Sequence, residues 1–244
     1  MANNQATIEK LNSMNLKGMA RALKNSIETG ITVTVDEFIA YLVDTEWDDR
    51  YNRRLERLIK EAKFRYKASI EEIDFSLARN LDKNMILRFS DCSWIKDKKN
   101  IIITGPTGVG KSYLASALGT QSCIYGYRTY YFNASKLFSY LKASKADGTY
   151  VKNLEKIAKA ANLILDDFGL EKLDSQSRLS LLEILEDRHG LASTIITSQI
   201  PIPAWHDIIG DPTIADAICD RIVNSSYRIE LKGESIRKKY NKNN

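Results

Sequence analysis

The chain has 244 residues, with 36 lysines and arginines against 31 aspartates and glutamates, so its formal net charge is +5. No apolar run approaches the roughly 20 residues of a membrane span, which excludes a membrane protein. Three scattered cysteines without a CxxC pair, and two histidines without metal-ligand spacing, argue against a disulfide scaffold and a zinc site. The start MANNQATIEK lacks the features of a secretion signal, so we expect a cytoplasmic protein.

The first 97 residues predict a mostly helical segment. One helical stretch runs to Gly30, a second begins at Thr34 or Asp36, and shorter helical pieces are predicted over 71–90. Residues 50–67 hold eight lysines and arginines and two glutamates, a density that suits nucleic-acid phosphates. A solvated helix face explains the same pattern, and composition does not separate the two.

The pattern changes near residue 98. Five short β-branched or aromatic runs are typical of buried parallel strands: NIIIT (100–104), RTYYF (128–132), NLILDD (162–167), STIITS (193–198) and YRIEL (227–231). Helical stretches separate them at 111–125, 134–142, 151–161, 176–189 and 213–224. This alternation predicts an α/β fold with a parallel five-stranded sheet, and two domains, helical 1–97 and α/β 98–244.

A phosphate-binding loop follows the first predicted strand. GPTGVGKS at 105–112 matches GxxxxGK[ST] and lies between a strand and a helix, as the motif requires. Its glycines allow backbone N–H groups to point at phosphates, and the start of the following helix adds positive charge. Lys111 is expected to reach the β- and γ-phosphates, and Ser112 to bind Mg²⁺. The predicted nucleotide-binding residues are Gly105, Pro106, Thr107, Gly108, Val109, Gly110, Lys111, Ser112 and the adjoining Tyr113, which packs either near the nucleotide or in the core.

Two aspartates end the third predicted strand. LILDDFG at 163–169 would bring carboxylates to the edge of the sheet where ligands bind in α/β folds. We expect Asp166 to hold Mg²⁺ and Asp167 to polarise the attacking water. Asp167 stands where many related ATPases have the longer glutamate. A helix N-cap after a strand is the alternative role for these residues.

With these two motifs, the chain resembles the AAA+ ATPases of the replication-initiator type. It is most similar to the IstB family, the ATP-binding helper proteins of insertion sequences, which are related to the helicase loader DnaC. The resemblance runs over nearly the whole chain and includes KFRYKASIEEIDFS, GYRTYYFNASKLFSYLKASK, STIITSQIP, DAICDRIVN and GESIRKKY. It implies an AAA+ P-loop ATPase that uses ATP and Mg²⁺. About 45 residues follow Gln199, which fits a reduced or absent lid.

The resemblance also implies roles for further polar residues. Gln199, with Ser198 beside it, matches the sensor of the γ-phosphate, where many relatives have asparagine. Arg221 in DAICDRIVN matches the arginine finger that enters a neighbouring subunit's site. Arg237 in GESIRKKY matches a second sensor arginine. Arginines supplied in cis or in trans stabilise the charge of phosphoryl transfer.

The partners implied are double-stranded DNA, a transposase and further copies of the chain in a ring or helical oligomer. Residues 133–156 offer lysines and tyrosines that suit backbone and shape recognition of DNA, and an amphipathic helix with solvated lysines is the alternative. These residues are Lys136, Lys142, Lys145, Lys152, Lys156, Tyr140 and Tyr150. A helicase loader similar to DnaC, and an ATPase without a nucleic-acid role, remain the competing functions.

Overall fold

The computed structural model describes residues 2–30 and 32–236. Two compact units divide the chain, Met1–Arg57 and Leu58–Asn244. The division between them lies well before the predicted domain boundary at residue 97, and residues 58–97 belong to the same compact unit as the phosphate loop. The functional division into 1–97 and 98–244 stays a prediction.

The secondary structure alternates after residue 98 as predicted, with strand ends that differ from the predicted ones by a residue at most. The strands are β1 (Asn100–Thr104), β2 (Thr129–Asn133), β3 (Asn162–Phe168), β4 (Ser193–Ser198) and β5 (Ser226–Glu230). The helices are α1 (Ala2–Ser13), α2 (Lys17–Thr29), α3 (Val35–Ala62), α4 (Lys83–Phe89), α5 (Ser93–Lys96), α6 (Lys111–Ile124), α7 (Ala134–Ala146), α8 (Tyr150–Ala158), α9 (Ser175–Arg188), α10 (Trp205–Ile209) and α11 (Pro212–Val223). Within residues 2–30 and 32–236, none of the helices combines the length and apolar character of a membrane span.

The first unit begins with two helices where the sequence predicts one stretch. Asn15 adopts a left-handed conformation (φ 59°) and separates α1 from α2. Gly30 ends α2 as predicted, with φ 64° and its N–H donating to Ser26 O at 3.1 Å. Thr34 caps α3 through a reciprocal pair: its N–H donates to the Glu37 carboxylate at 2.9 Å, and its hydroxyl accepts the Glu37 N–H at 3.3 Å.

A buried carboxylate joins α2 and α3. Glu46 is 5% exposed, and its Oε2 accepts the backbone N–H groups of Gly18 (2.7 Å) and Met19 (3.2 Å) at the first turn of α2. Arg50 Nε donates to the other oxygen at 2.7 Å. Burial alone would raise the pKa of Glu46, but Arg50 and the two backbone donors outweigh it and lower the pKa. The negative charge therefore suits the positive end of α2.

The second unit is built on a parallel five-stranded sheet with the order β2-β3-β4-β1-β5, which confirms the predicted sheet. Apolar clusters cover both of its faces, so the central strands are buried over nearly all of their length. All strands run in the same direction. Their carboxyl ends therefore share one edge, where the phosphate loop leaves β1 and the two aspartates end β3.

Residues 58–97 complete the core on one face of the sheet. Ile70, Ile73 and Trp94 are buried in the same cluster as Ile101 and Leu114. The helical prediction for 71–90 is wrong over its first part, because the only helix of that range is α4. The Asp74 carboxylate instead accepts the Ser76 N–H at 2.8 Å, a local turn that competes with a helix.

Arg188, at the end of α9, is 1% exposed and has backbone partners in place of a carboxylate. Its guanidinium donates to the carbonyls of Ile157 (2.8 Å), Ala160 (2.7 Å) and Ser193. Nε donates to the Thr194 hydroxyl at 3.1 Å. Burial lowers the pKa of Arg188 to about 9, which still leaves the side chain protonated at neutral pH. Arg188 thus ties the end of α8 to the start of β4.

Candidate nucleotide-binding site

The phosphate loop has the backbone that its glycines allow. Gly105, Gly108 and Gly110 have φ values of 146°, 85° and 98°, a region that other residues rarely adopt. Gly110 is the N-cap of α6, so the loop delivers its backbone to the positive end of a 14-residue helix. This is the strand–loop–helix arrangement that the motif predicts.

Lys111 closes the loop on itself. The side chain is buried, and Nζ donates to the carbonyls of Gly105 at 2.7 Å and Pro106 at 2.9 Å. These two bonds hold the ammonium at the centre of the loop. Phosphate oxygens entering the loop would meet this charge together with the N-terminus of α6.

The chain after β5 packs against the outside of the phosphate loop. The Leu231 N–H donates to Thr104 O at 2.8 Å, and the Ile236 N–H donates to Gly108 O at 2.9 Å. A Cβ atom on Gly108 would collide with the Ser235 side chain. Glycine is therefore needed at this position for close packing as well as for its φ angle, and the contact places Ile236 beside the site.

The Asp166 carboxylate is fully buried at the end of β3. Thr197 Oγ1 on β4 donates to Oδ1 at 2.5 Å, and the Tyr131 hydroxyl on β2 donates to Oδ2. Burial, the hydrogen bond to Asp166 and the charge of Asp166 raise the pKa of Tyr131, so the phenol keeps its proton. Three adjacent strands thereby fix this carboxylate at the carboxyl edge of the sheet.

Asp167 faces the cavity in a left-handed conformation, with φ 59°. Its N–H donates to Thr197 Oγ1 at 3.0 Å, and Asn133 Nδ2 at the end of β2 donates to Oδ2 at 3.4 Å. The unusual backbone turns the second carboxylate away from the strand and toward the phosphate loop. Asp166 and Asp167 lie together, as predicted, and neither caps a helix: α9 is capped by Asp174.

Arg65 was not predicted from the sequence, yet it contacts both aspartates. Nη1 lies 3.3 Å from Asp166 Oδ2 and 3.0 Å from Asp167 Oδ2. Burial works against the charged guanidinium, but Tyr66, the two aspartates and Tyr131 together raise the pKa of Arg65. Arg65 belongs to a basic run in the sequence. No local pattern separates it from the other cations of that run.

Gln199 reaches the phosphate loop from the end of β4. Its Oε1 accepts the Thr107 hydroxyl at 2.5 Å. The adjacent Ser198 turns the other way, and its hydroxyl donates to Phe168 O at 2.8 Å. The structure therefore brings Gln199, and not Ser198, to the phosphate loop, and the sensor role of Gln199 stays a prediction.

A cavity of about 590 Å³ opens beside the loop and aspartates. Its lining residues are Arg65, Tyr66, Glu72, Asp74, Leu77, Arg79, Thr107, Gly108, Gly110, Lys111, Ser112, Tyr113, Asp167, Gln199 and Ile236. The Tyr113 hydroxyl donates to Glu72 Oε2 at 3.2 Å, and its ring lies 6.2 Å from that of Tyr66. Tyr113 thus lines the cavity and also packs against the core cluster under it, so its two predicted positions coincide. The 65–79 wall was not predicted, because its residues come from an irregular segment without a motif.

The residues present suit a magnesium nucleotide. Mg²⁺ prefers oxygen ligands, and the two predicted ligands, the Asp166 carboxylate and the Ser112 hydroxyl, supply them. The Arg65 guanidinium already occupies the position between the two carboxylates, so that position accommodates a cation. Lys111 and the α6 N-terminus supply the positive charge that a triphosphate needs.

Arg221 lies away from this site in its own chain. It is on α11, where it forms an ion pair with Glu186 of α9 and donates to Ala217 O at 2.7 Å. Its carbonyl accepts Asn100 Nδ2 at 3.4 Å, at the amino end of β1 and therefore opposite the phosphate loop. Arg237 lies outside the described residues.

The lysines predicted to meet DNA lie on α7 and α8. Lys145 packs over the Tyr150 ring at 4.4 Å, and the Tyr150 hydroxyl donates to Glu183 at 2.7 Å. Lys142 lies 3.8 Å from Asp174. Tyr150 is thus held within the fold, whereas Tyr140 is 46% exposed.

Comparison with known proteins identifies the family of this chain and several of its relatives. The model of the family described as IstB-like ATP binding protein matches residues 9–244. A protein of Sinorhizobium fredii (strain NBRC 101917 / NGR234) named as an insertion sequence ATP-binding protein, y4pL, is 44% identical over 95% of this chain and 96% of its own. A second relative, the ATP-binding protein of insertion sequence IS1162 from Pseudomonas fluorescens, is 40% identical. The match covers 81% of this chain and 87% of that protein.

Among solved structures, the crystal structure of the DnaC helicase loader matches 70% of this chain and all of its own. The TM-score is 0.56 and the identity 24%. This likeness concerns the fold, and it confirms the predicted AAA+ architecture of the α/β part.

Proposed function

The chain belongs to the family of IstB-like ATP-binding proteins, and from this premise we propose that it is a Mg²⁺-dependent ATPase that assembles on duplex DNA and acts as the helper of a transposase. The observation that carries the proposal is the convergence of Lys111, Asp167 and Gln199 on one cavity. A phosphate loop alone explains nucleotide binding. A loop with a carboxylate and a polar sensor facing it has the parts for hydrolysis.

Each residue has a distinct role in the proposed hydrolysis. The loop N–H groups and Lys111 hold the β- and γ-phosphates, with Lys111 exchanging its carbonyl partners for phosphate oxygens. Ser112 and Asp166 hold Mg²⁺, which neutralises charge on the phosphates when bound. Asp167 orients the attacking water and accepts its proton, and the Thr197 bond to its backbone fixes that orientation. Gln199, tied to Thr107, senses the γ-phosphate.

The site needs a second subunit for its arginine. Arg221 lies at the opposite edge of the sheet from its own phosphate loop, which supports a role in a neighbour's site. Its only carboxylate ion pair among the described residues is with Glu186, whose side chain is 48% exposed. Assembly into a ring or helix would place it against the next nucleotide. Arg237 remains a proposed second sensor.

Duplex DNA is the proposed surface for that assembly. Exposed lysines of α7 and α8, and the arginine-rich part of α3, offer charge for backbone contacts. The sequence contains no base-reading motif, so we propose recognition by backbone and shape. The relatives are named for insertion sequences, which supports a transposase as the partner and the cytoplasm as the place of action.

The test is assembly on DNA. With a non-hydrolysable ATP analogue, electron microscopy should show the protein in ordered oligomers on long duplex DNA. Lys111→Ala, the matched control, should remain dispersed. DNA affinity should fall steeply with salt, by about a thousandfold between 50 and 200 mM if six or more phosphates are contacted. An unchanged mass on DNA with the analogue would refute the assembly, and no binding at low salt would support an ATPase without a nucleic-acid role.

A helicase loader is the second candidate, favoured by the match to the DnaC fold. The two functions differ in their partners and preferred DNA. Preference for duplex over single strands, and capture of a purified transposase whose gene is found beside this one, support the transposition helper. Capture of a purified replicative helicase, with preference for single strands, supports the loader.

A further inference from the structure

Arg65 bridges the two carboxylates of the site, one of which is the proposed ligand of Mg²⁺. It follows α3 by three residues, and its Nη1 lies within 3.3 Å of both Asp166 Oδ2 and Asp167 Oδ2. A divalent cation held by Asp166 would need this same carboxylate and would lie beside Asp167. Arg65 and the metal therefore compete for one position.

Of these three residues, Arg65 is the one that can move. Asp166 is fully buried, and Thr197 and Tyr131 both donate to it. The Arg65 side chain is 42% exposed, and residue 65 lies outside any helix or strand. Release of the carboxylates therefore requires the guanidinium to swing into the cavity that it lines together with Lys111 and Ser112.

We propose that Arg65 is an exchangeable latch of the nucleotide site, which holds Asp166 and Asp167 before nucleotide binds and transfers to the γ-phosphate when Mg²⁺ and ATP enter. The proposal rests on the proposed ATPase function and adds its regulation. It assigns Arg65 two successive sets of anionic partners.

Charge explains why the transfer needs the complete ligand. A buried carboxylate that loses its cation is strongly destabilised, so the two aspartates release Arg65 only when another cation replaces it. The freed guanidinium then needs an anion, and a phosphate suits its planar set of donors. ADP has no γ-phosphate. Arg65 would therefore favour ATP over ADP as the ligand that opens the latch.

Metal binding without nucleotide tests the first half of the proposal. In Mn²⁺ titrations of the full chain followed by electron paramagnetic resonance, Arg65→Gln should bind Mn²⁺ at least about tenfold more tightly than the unaltered protein, because the carboxylates are no longer occupied. Arg128→Gln removes an arginine of similar exposure that pairs with Glu61, and should leave Mn²⁺ affinity unchanged. Adding Asp166→Asn to Arg65→Gln should abolish the gain. Equal Mn²⁺ affinity in Arg65→Gln and the unaltered protein would overturn the latch.

Nucleotide preference tests the second half. The ratio of ATP to ADP affinity, from competition with a fluorescent nucleotide in Mg²⁺, should fall at least about fivefold in Arg65→Gln if the γ-phosphate contact is lost. Arg65→Lys keeps the charge but not the planar fork, and should give intermediate values in both assays. If Arg65→Gln does not fold, as judged by circular dichroism, Arg65→Lys decides. An unchanged ratio in the folded variant contradicts the transfer.

The two proposals fail in different ways. Turnover of ATP by the unaltered protein, with no gain of Mn²⁺ affinity in Arg65→Gln, leaves the ATPase function standing and removes the latch. If Arg65→Gln gains Mn²⁺ affinity but the unaltered protein never hydrolyses ATP, the competition between Arg65 and the metal stands and the ATPase function is refuted.

Discussion

The Thr197 hydroxyl connects the two aspartates of the site. It donates to Asp166 Oδ1 at 2.5 Å and accepts the N–H of Asp167 at 3.0 Å. A single side chain on β4 thus orients both the carboxylate proposed to hold the metal and the one proposed to activate water. This places Thr197 among the positioning residues of the site.

Replacing Thr197 with valine should separate positioning from folding. Valine has nearly the same shape but leaves the Asp166 oxygen and the Asp167 N–H without this partner, so we expect about 1–3 kcal/mol lower stability. ATP turnover should fall at least about tenfold, whereas ATP affinity, set by the phosphate loop, should change little. Steady-state ATPase rates and nucleotide titration measure the two effects. Thr129→Val, in the buried start of β2, is the matched control; equal turnover in both variants would contradict the role of Thr197.

The part of the site that was predictable is the part with a local pattern. GPTGVGKS and LILDDFG carry their chemistry in consecutive residues, and their flanking strands are continuous apolar runs, so both loop and sheet edge follow from sequence. Gln199 was identified through the family resemblance and lies at the loop as expected. Arg65, Tyr131 and Thr197 reach the aspartates from three different parts of the fold.

Such convergence depends on strand order and on the path of an irregular segment, and neither leaves a periodic signal. The conformation of the 71–82 segment could likewise not be predicted from the sequence. Its residues have helical propensity, but burial of Ile73 in the core and the turn at Asp74 override it.

Gly18 is required for the close approach of α2 and α3. A Cβ atom at this position would lie 2.6 Å from both Glu46 Cα and Thr45 O, which are backbone atoms that cannot rotate away. Gly18→Ala should therefore push the helices apart, lengthen the Gly18 bond to Glu46 and destabilise the first unit by about 2–3 kcal/mol. Hydrogen–deuterium exchange over residues 17–29 should accelerate. Gly30→Asn, which keeps a residue tolerant of the left-handed conformation, should change the exchange little, and slow exchange in Gly18→Ala would show that the packing can relax.

Arg188 is expected to matter for stability and not for chemistry. Arg188→Met fills a similar volume but leaves the carbonyls of Ile157, Ala160 and Ser193 without their donor. We expect a loss of about 3 kcal/mol or more, because several buried acceptors lose their partner at once. Urea unfolding measures this loss, and nucleotide affinity of the folded fraction should be unchanged. Arg178→Met is a control on the same helix, because the Arg178 side chain donates to one carbonyl among the described residues, that of Leu173 at 3.3 Å. A smaller loss in Arg188→Met than in this control would contradict the structural role.

The proposed trans arginine can be tested by replacing Arg221 itself and by replacing Glu186, the carboxylate with which it forms an ion pair. Arg221→Ala should bind ATP normally but lose turnover in the oligomer by about a thousandfold, the size expected for an arginine finger. Glu186→Gln keeps Arg221 but removes the carboxylate of α9 that pairs with its guanidinium. The arginine is then more easily released toward a neighbouring site, so turnover should be retained or should rise. Mixing Arg221→Ala with Asp167→Asn, which keeps the phosphate loop needed for assembly, should restore part of the activity, because one partner then supplies the carboxylate and the other the arginine. Normal turnover in Arg221→Ala, or no recovery in the mixture, would show that the site is complete within one chain.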